Sequence, residues 1–322
     1  MSLLGAIYGL GVSTRNRLYD HGTLRARRLS APVISVGNTS AGGAGKTPFV
    51  ILLGALLKQR GIAFDVLSRG YGRRTKGVLL VDANGSAENF GDEPLLIAGR
   101  LGCPVVVGES RHEAGVFAEK KFGPQIHILD DGFQHRSLAR DFDIVLLTPE
   151  DLRDTLLPVG RLREPLTSLH RADVVAISGD VDSSALPKDK PIWRIRRGIA
   201  IPDAPKDPVL FCGIARPQRF VQQLEAIGIH PVAQKFYQDH HGYSETDIEE
   251  LMRLRDQNGA SGFVTTEKDA INLGARLAGL GTVSIARVTM KIVDPADALD
   301  TLLRTIARAQ AADVRKSVAG GQ

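Results

Sequence analysis

Ser35-Val36-Gly37-Asn38-Thr39-Ser40-Ala41-Gly42-Gly43-Ala44-Gly45-Lys46-Thr47-Pro48 decides how this chain folds. An apolar run from Pro32 to Val36 leads in and reads as a buried strand, and Phe49 to Gln59 leads out as a helix. Strand, glycine-rich turn, Lys-Thr and helix together form a cradle for a nucleotide triphosphate. Glycines let successive backbone N–H groups point inward around phosphate oxygens. The following helix adds its free N-terminal N–H groups and the positive end of its dipole. Lys46 then reaches the β and γ phosphates, and Thr47 offers its hydroxyl to Mg²⁺. The strict pattern has Gly where this chain has Ser40, but the flanking strand and helix supply the context that the pattern needs.

With 322 residues, the chain can bury a substantial core as one large domain or two ordinary ones. Its two cysteines, Cys103 and Cys212, lie in separate apolar runs with no metal-site or disulfide spacing, which fits a reducing cytosol. The formal net charge of +5 is unevenly spread: the first forty residues hold Arg15, Arg17, Arg25, Arg27 and Arg28 against Asp20 alone. The same end opens with the apolar run Leu3 to Val12, far short of the about 20 residues that span a bilayer. No basic stretch precedes it, so it is a poor secretory signal. Two readings of it stand level: a helix lying in an anionic membrane interface, or a helix packed on the domain with its arginines solvated.

Downstream, strand-like and helix-like runs alternate. Strands are expected at Phe64 to Ser68, Pro104 to Val107, Ile126 to Leu129, Ile144 to Leu147 and Val174 to Ile177. Helices are expected from Asp92 to Leu101, with Pro94 and two acids at its start, and from Arg111 to Lys121. This alternation predicts an α/β fold, a P-loop NTPase-like parallel sheet with helices on both faces. From Asp180 to Pro208 the texture changes, and Ile192 to Arg196 alternates like an exposed strand. A second, smaller α/β unit follows, with strands at Val209 to Cys212, Val232 to Phe236 and Phe263 to Thr266. Val283 to Met290 reads as a further strand, and the small, polar tail Ala311 to Gln322 as disordered.

Asp130 and Asp131 end the third strand after the phosphate loop, where a P-loop fold places an acid on Mg²⁺. A turn cap would need only one of them. Asp92-Glu93 reads equally well as helix N-terminal acids. Asp239-His240-His241 follows a strand and could supply or orient a base, although such a pair is more often structural. Arginines at strand ends, among them Arg69, Arg111, Arg161 and Arg163, point together to an anionic substrate. Aromatic interleaving is too sparse for a nucleic-acid groove.

Eight motifs occur in order: Val36-Gly37-Asn38, Gly42 to Pro48, Ser68 to Gly72, Gly91 to Pro94, Asp130 to His135, Gly160 to Pro165, Asp239-His240 and Thr265 to Asp269. As a set, running to about Ile292, they resemble the tetraacyldisaccharide 4′-kinase (lipid A 4′-kinase) family. The resemblance implies an enzyme that moves the γ-phosphate of ATP, with Mg²⁺, to the 4′-hydroxyl of an acylated disaccharide 1-phosphate lipid. It further implies a peripheral protein, expected to be a monomer, at the cytoplasmic face of the bacterial inner membrane, which favours the membrane reading of the N-terminus. The family's architecture divides the chain into an interface helix at 1–28, a kinase domain at 29–190, linker strands at 191–207 and 282–292, a second unit at 208–281, a C-terminal helix at 293–310 and the tail at 311–322. By resemblance, Ser40, Ala41, Gly42, Gly43, Ala44, Gly45, Lys46 and Thr47 hold ATP, helped by Thr266, Glu267, Lys268 and Asp269. Asp92 accepts the hydroxyl proton with His240, and Lys46 and Arg163 stabilise the transferring charge. Thr47, Asp130, Asp131 and Glu164 are the metal and phosphate-positioning groups, with Arg69, Tyr71, Arg111, Gln134 and His135 toward substrate.

The alternative from another class is a membrane-associated P-loop nucleotide switch. Dimerising switch ATPases carry a lysine at the position of Ala41, and a GTPase would show Asn-Lys-x-Asp where this chain has Thr266-Glu267-Lys268-Asp269.

Overall fold

The computed structural model describes residues 3–178, 181 and 186–319. Its first element is α1 (Leu3–Asp20), followed by β1 (Val33–Asn38), α2 (Lys46–Gln59), β2 (Phe64–Ser68), β3 (Leu79–Leu80), α3 (Ala87–Phe90), α4 (Asp92–Leu101), β4 (Val105–Val107), α5 (Arg111–Phe122), β5 (Ile126–Asp130), β6 (Phe142–Leu147) and β7 (Val174–Ser178). Then come β8 (Ile192–Ala200), β9 (Val209–Cys212), α6 (Pro217–Glu225), β10 (Ala233–Phe236), α7 (Glu245–Gln257), β11 (Phe263–Thr266), α8 (Glu267–Leu273), β12 (Val283–Ile292) and α9 (Pro295–Ala319). Of the stretch from Asp180 to Pro208, residues 180 and 182–185 fall outside the described residues, as do the last residues of the tail, Gly320 to Gln322.

Among the described residues the strands form one sheet in the order β10-β9-β11-β12-β8-β7-β6-β1-β5-β2-β4-β3. The central strands are apolar at consecutive positions, and β1 is buried at all six residues, as a parallel strand covered on both faces must be. Phe49, Val50, Leu53 and Leu57 of α2 pack on one face with Leu95, Ile97 and Leu101 of α4. Leu29, Ala114 and Ala118 cover Val33, Leu67, Val106 and Leu129 on the other. Beyond the linker, Phe211, Leu251 and Phe263 fill one side of the smaller unit, and Leu210, Phe220 and Val264 the other. The fold is thus the expected α/β arrangement.

Two adjoining long strands join the units. β8 and β12 run antiparallel from Arg287↔Ala200 to Ile292↔Ile195, while β8 lies parallel to β7 and β12 to β11. Val283 to Met290 therefore does return to the boundary, and α9 follows it back to the first unit, burying Leu299, Leu302 and Ile306 in the α2 core. α9 runs on to Ala319, into the tail that the sequence led us to expect as disordered. From Ala311 to Ala319 the sequence holds no Gly or Pro, so no residue before Gly320 stops the helix.

Candidate active site

The phosphate loop joins the end of β1 to α2. Gly45 caps α2 at φ 86°, a left-handed conformation that a side chain would strain. Lys46 Nζ donates to Asn38 Oδ1 at 3.1 Å and lies 3.5 Å from Asp131 Oδ1. Arg163 donates to the same Asn38 oxygen at 2.6 Å and forks the Asp131 carboxylate at 2.9 and 3.0 Å. The segment carrying Arg163 is laced along the loop, since Ala41 N donates to Arg161 O and Arg163 N to Thr39 O, each at 2.7 Å. Burial would raise the Asp131 pKa, but Lys46 and Arg163 outweigh it and hold the carboxyl well below the usual range.

Asp130 is 2% exposed. Its Oδ2 accepts from Ser68 Oγ at 3.1 Å, while Oδ1 is buried without a partner. Burial, reinforced by the charges of Glu93 and Asp131, pushes its pKa up to about 7. Arg111, also buried, donates to the carbonyls of Gly108 and Glu109 and leaves Nε unpartnered. Burial brings its pKa down to about 10. Gln134 donates to Asn38 O at 2.8 Å and leaves Oε1 unpartnered. Burial and then Arg111 lower His135 to about 4, so its imidazole is neutral at neutral pH. No group of three or more His, Cys, Asp or Glu among the described residues is arranged as a metal cage. A cation here would rest on one or two carboxylates plus phosphate oxygens and water, which is how Mg²⁺ is held. The unpartnered Asp130 Oδ1 and the Thr47 hydroxyl fit that need.

Across the cleft, the smaller unit closes the site. His240 Nδ1 meets both oxygens of Asp92, at 2.8 and 3.0 Å. Glu93 N donates to Asp92 Oδ1 at 2.8 Å and Asn272 Nδ2 to Oδ2 at 3.3 Å. Lys268 Nζ pairs with Glu93 at 2.8 Å, and Arg100 with Glu267 at 2.6 Å. Burial would raise Asp92, yet the His240 hydrogen bond and the Lys268 charge hold it below its ordinary value. The hydrogen bond to Asp92 in turn raises His240 against burial. His240 at φ 61° and Asp131 at φ 51° are two of four non-glycine residues in the left-handed region among the described residues, strain of the kind that collects at functional sites. Tyr71 sets its ring 5.2 Å from the His240 ring.

Most of these groups line one cavity of about 690 Å³. It gathers the phosphate loop from Ala41 to Thr47 with Asp130, Asp131 and Arg163, the substrate-side group Arg69, Tyr71, Arg111, Gln134 and His135, and His240 with Thr266 to Lys268. Four expected residues are not in its wall. Asp92 is 4% exposed and is joined to the cavity through His240, which lines it. Glu164 is turned away from the cavity; its Oε2 accepts from Asn16 and Arg171 at 2.9 and 2.8 Å. Asp269 lies in the first turn of α8, its N donating to the capping Thr266 hydroxyl, and it accepts from Gly213 N and Tyr243 Oη at 2.8 Å each, holding the loop after β9. Ser40 is buried beneath the loop, accepting from Asn38 Nδ2. Sequence reasoning missed Arg197 and Arg216, which do line the cavity. Arg216 lies against Gly43. It follows a strand, as ligand-binding residues in α/β sheets do, which was a usable signal.

A family model described as tetraacyldisaccharide-1-P 4′-kinase matches residues 1–307. A tetraacyldisaccharide 4′-kinase from Koribacter versatilis is 50% identical over 96% of this chain and all of its own length. One from Aquifex aeolicus is 38% identical over 83% of this chain and 87% of its own. A crystal structure titled as the "apo" form of LpxK from Aquifex aeolicus in complex with ATP superposes with a TM-score of 0.77 at 35% identity, covering 94% of this chain and 97% of that one. On these matches the chain belongs to the tetraacyldisaccharide 4′-kinase family.

Proposed function

We propose that this chain transfers the γ-phosphate of ATP to the 4′-hydroxyl of a tetraacyldisaccharide 1-phosphate, with Asp92 as the proton acceptor. The observation that carries this reading is the Asp92–His240 pair, at 2.8 Å, whose His240 lines the same cavity as the phosphate loop. Asp92 is held ionised, as a group that must receive a proton requires. His240, whose pKa the same contact raises, orients it. Lys46 and the backbone N–H groups of Gly43 to Thr47 hold the triphosphate, and Arg163 is fixed by Asp131 and Asn38 where charge develops on the transferring group. Arg69 and Arg111 face the anionic substrate. Thr47 and Asp130, with Asp131 nearby, would hold Mg²⁺, which would neutralise charge on the phosphates during transfer.

The acceptor carries acyl chains, and α1 supplies a surface for them. Leu3, Leu4, Ile7 and Leu10 are 78, 63, 59 and 68% exposed, and no described helix is long and apolar enough to cross a membrane. An interfacial helix at the cytoplasmic face of the inner membrane accounts for this stripe. The helix is also tied to the site, because Tyr8 Oη donates to Arg163 O at 3.2 Å and Arg15 to Gln134 O at 3.1 Å. The test is incubation with ATP and the disaccharide lipid in mixed micelles, followed by mass spectrometry of the product. A new phosphate at the 4′ position is expected; ATP turnover without it refutes the reading.

A further inference from the structure

The wall of the cavity opposite the substrate arginines is the face of the β8–β12 ladder. In β8 residues alternate between faces, so Ile195, Arg197 and Ile199 share one side. Their partners across the ladder, Ile292, Met290 and Val288, are all apolar. Arg197 is thus the lone charge on an otherwise apolar surface, and that surface meets the phosphate loop: a Cβ built on Gly45 would lie 3.2 Å from Met290 Cε and 3.6 Å from Arg197 Nη1. Arg197 is open to the cavity rather than buried in this apolar face, so its guanidinium is available to a ligand there.

Its neighbours sharpen the point. Arg216 meets Glu150 at 3.1 Å and Asp151 at 3.7 Å, and Arg219 meets Glu150 at 3.3 Å. Arg197 has no acid partner among the described residues, and burial together with Arg219 and Arg216 brings its pKa down to about 10. A guanidinium crowded by two other cations, beside the last glycine before Lys46, lacks only an anion. We propose that Arg197, reaching in from the linker rather than from the kinase unit, is a positioning residue that binds the polyphosphate chain of the nucleotide against the phosphate loop. This rests on the kinase reading above. The lipid's own phosphate has the same chemistry, but the placement at Gly45 commits Arg197 to the nucleotide.

The experiment is calorimetric titration of the full-length protein and of Arg197→Met and Arg197→Lys with ATP, ADP and adenosine, alongside thermal melts. Loss of one charge-assisted contact predicts ATP and ADP binding weakened about 10- to 100-fold in Arg197→Met. Adenosine affinity should be unchanged, and Arg197→Lys should recover part of the loss. Unaltered ATP affinity in Arg197→Met overturns the assignment, and a raised KM for the lipid alone would give the residue to the other phosphate. An equal loss for adenosine also overturns it, marking a structural role. Failure of the unaltered protein to bind ATP would remove the kinase reading itself, and this inference with it.

Discussion

Replacing His240 by Gln tests the catalytic pair most directly. Asp92 is 4% exposed, and burial alone would push its carboxyl above the ordinary value. His240 reverses that shift through contacts of 2.8 and 3.0 Å, while Glu93 N and Asn272 supply the remaining donors. A hydrogen bond to a charged group contributes about 1.5–3 kcal/mol, which corresponds to roughly one to two pKa units. The sign follows from the chemistry. Asp92 must be ionised to accept a proton, and its lowered pKa keeps it so into the acid range. In His240→Gln the pKa rises, so activity is lost from the acid side first, and the acid limb of kcat/KM moves up by about one to two pH units. The alkaline limb set by loss of the His240 proton disappears. Asp92→Asn lowers kcat by about 10²- to 10⁴-fold with little change in lipid KM, and the double variant is no worse than Asp92→Asn because the two act as a unit. The assay is initial-rate ADP release in lipid micelles across the acid and neutral range. An acid limb that stays in place in His240→Gln refutes the pairing as the control on Asp92, and near-normal turnover in Asp92→Asn refutes the proton-accepting role.

Leu4→Asp on the exposed face of α1 should weaken flotation with anionic liposomes about 10-fold or more, by removing one interfacial apolar side chain, while leaving nucleotide affinity intact. Gly37→Ala should lower the thermal midpoint by several degrees: its Cβ would lie 2.5 Å from Phe133 Cβ and 2.7 Å from Phe133 N, an overpacking cost of about 1–3 kcal/mol. Burial pushes the thiols of Cys103 and Cys212 up to about 12, so an alkylating reagent at neutral pH should label them fast only after unfolding. Glu164→Leu should destabilise the fold by about 3–5 kcal/mol, since it leaves the Arg171 guanidinium buried and unpaired, and scanning calorimetry would read the loss.

Much of this fold was legible because parallel strands and their turns leave local marks. The consecutive apolar residues of β1, the Pro94-containing start of α4 and the acids ending β5 each declare themselves within a few positions. What stayed hidden depends on pairings distant in sequence. Glu164 looked like a metal ligand, but which way it points is fixed only once the run from Arg161 has paired with Ala41 and Thr39. The Asp92–His240 contact joins residues 148 apart and needed the family resemblance to be seen. Arg197 is the instructive miss. Trp193, Ile195, Arg197 and Ile199 form a period-two series with a charge at one inward place, yet the run read as an exposed strand because its pairing with β12 could not be known.

The linker explains why the site takes both units to assemble. The phosphate loop belongs to the first unit, His240 and Lys268 to the second, and Arg197 to the strand between them. Closure is held by Asp92–His240, Glu93–Lys268 and Arg100–Glu267. Ion pairs open to solvent contribute less than about 1 kcal/mol each, so the Arg100 pair adds little and the other two carry most of the hold. Against them stands the mutual repulsion of Arg197, Arg216 and Arg219 on the facing wall. A ligand shifts such a balance only by binding one state better than the other. A polyphosphate between Gly45 and Arg197 does so, because the open state would separate the linker wall from the loop and leave it with half its donors. Nucleotide binding should therefore favour the closed arrangement in which Asp92 meets His240, reinforcing the contact of 2.8 Å that the structure already shows.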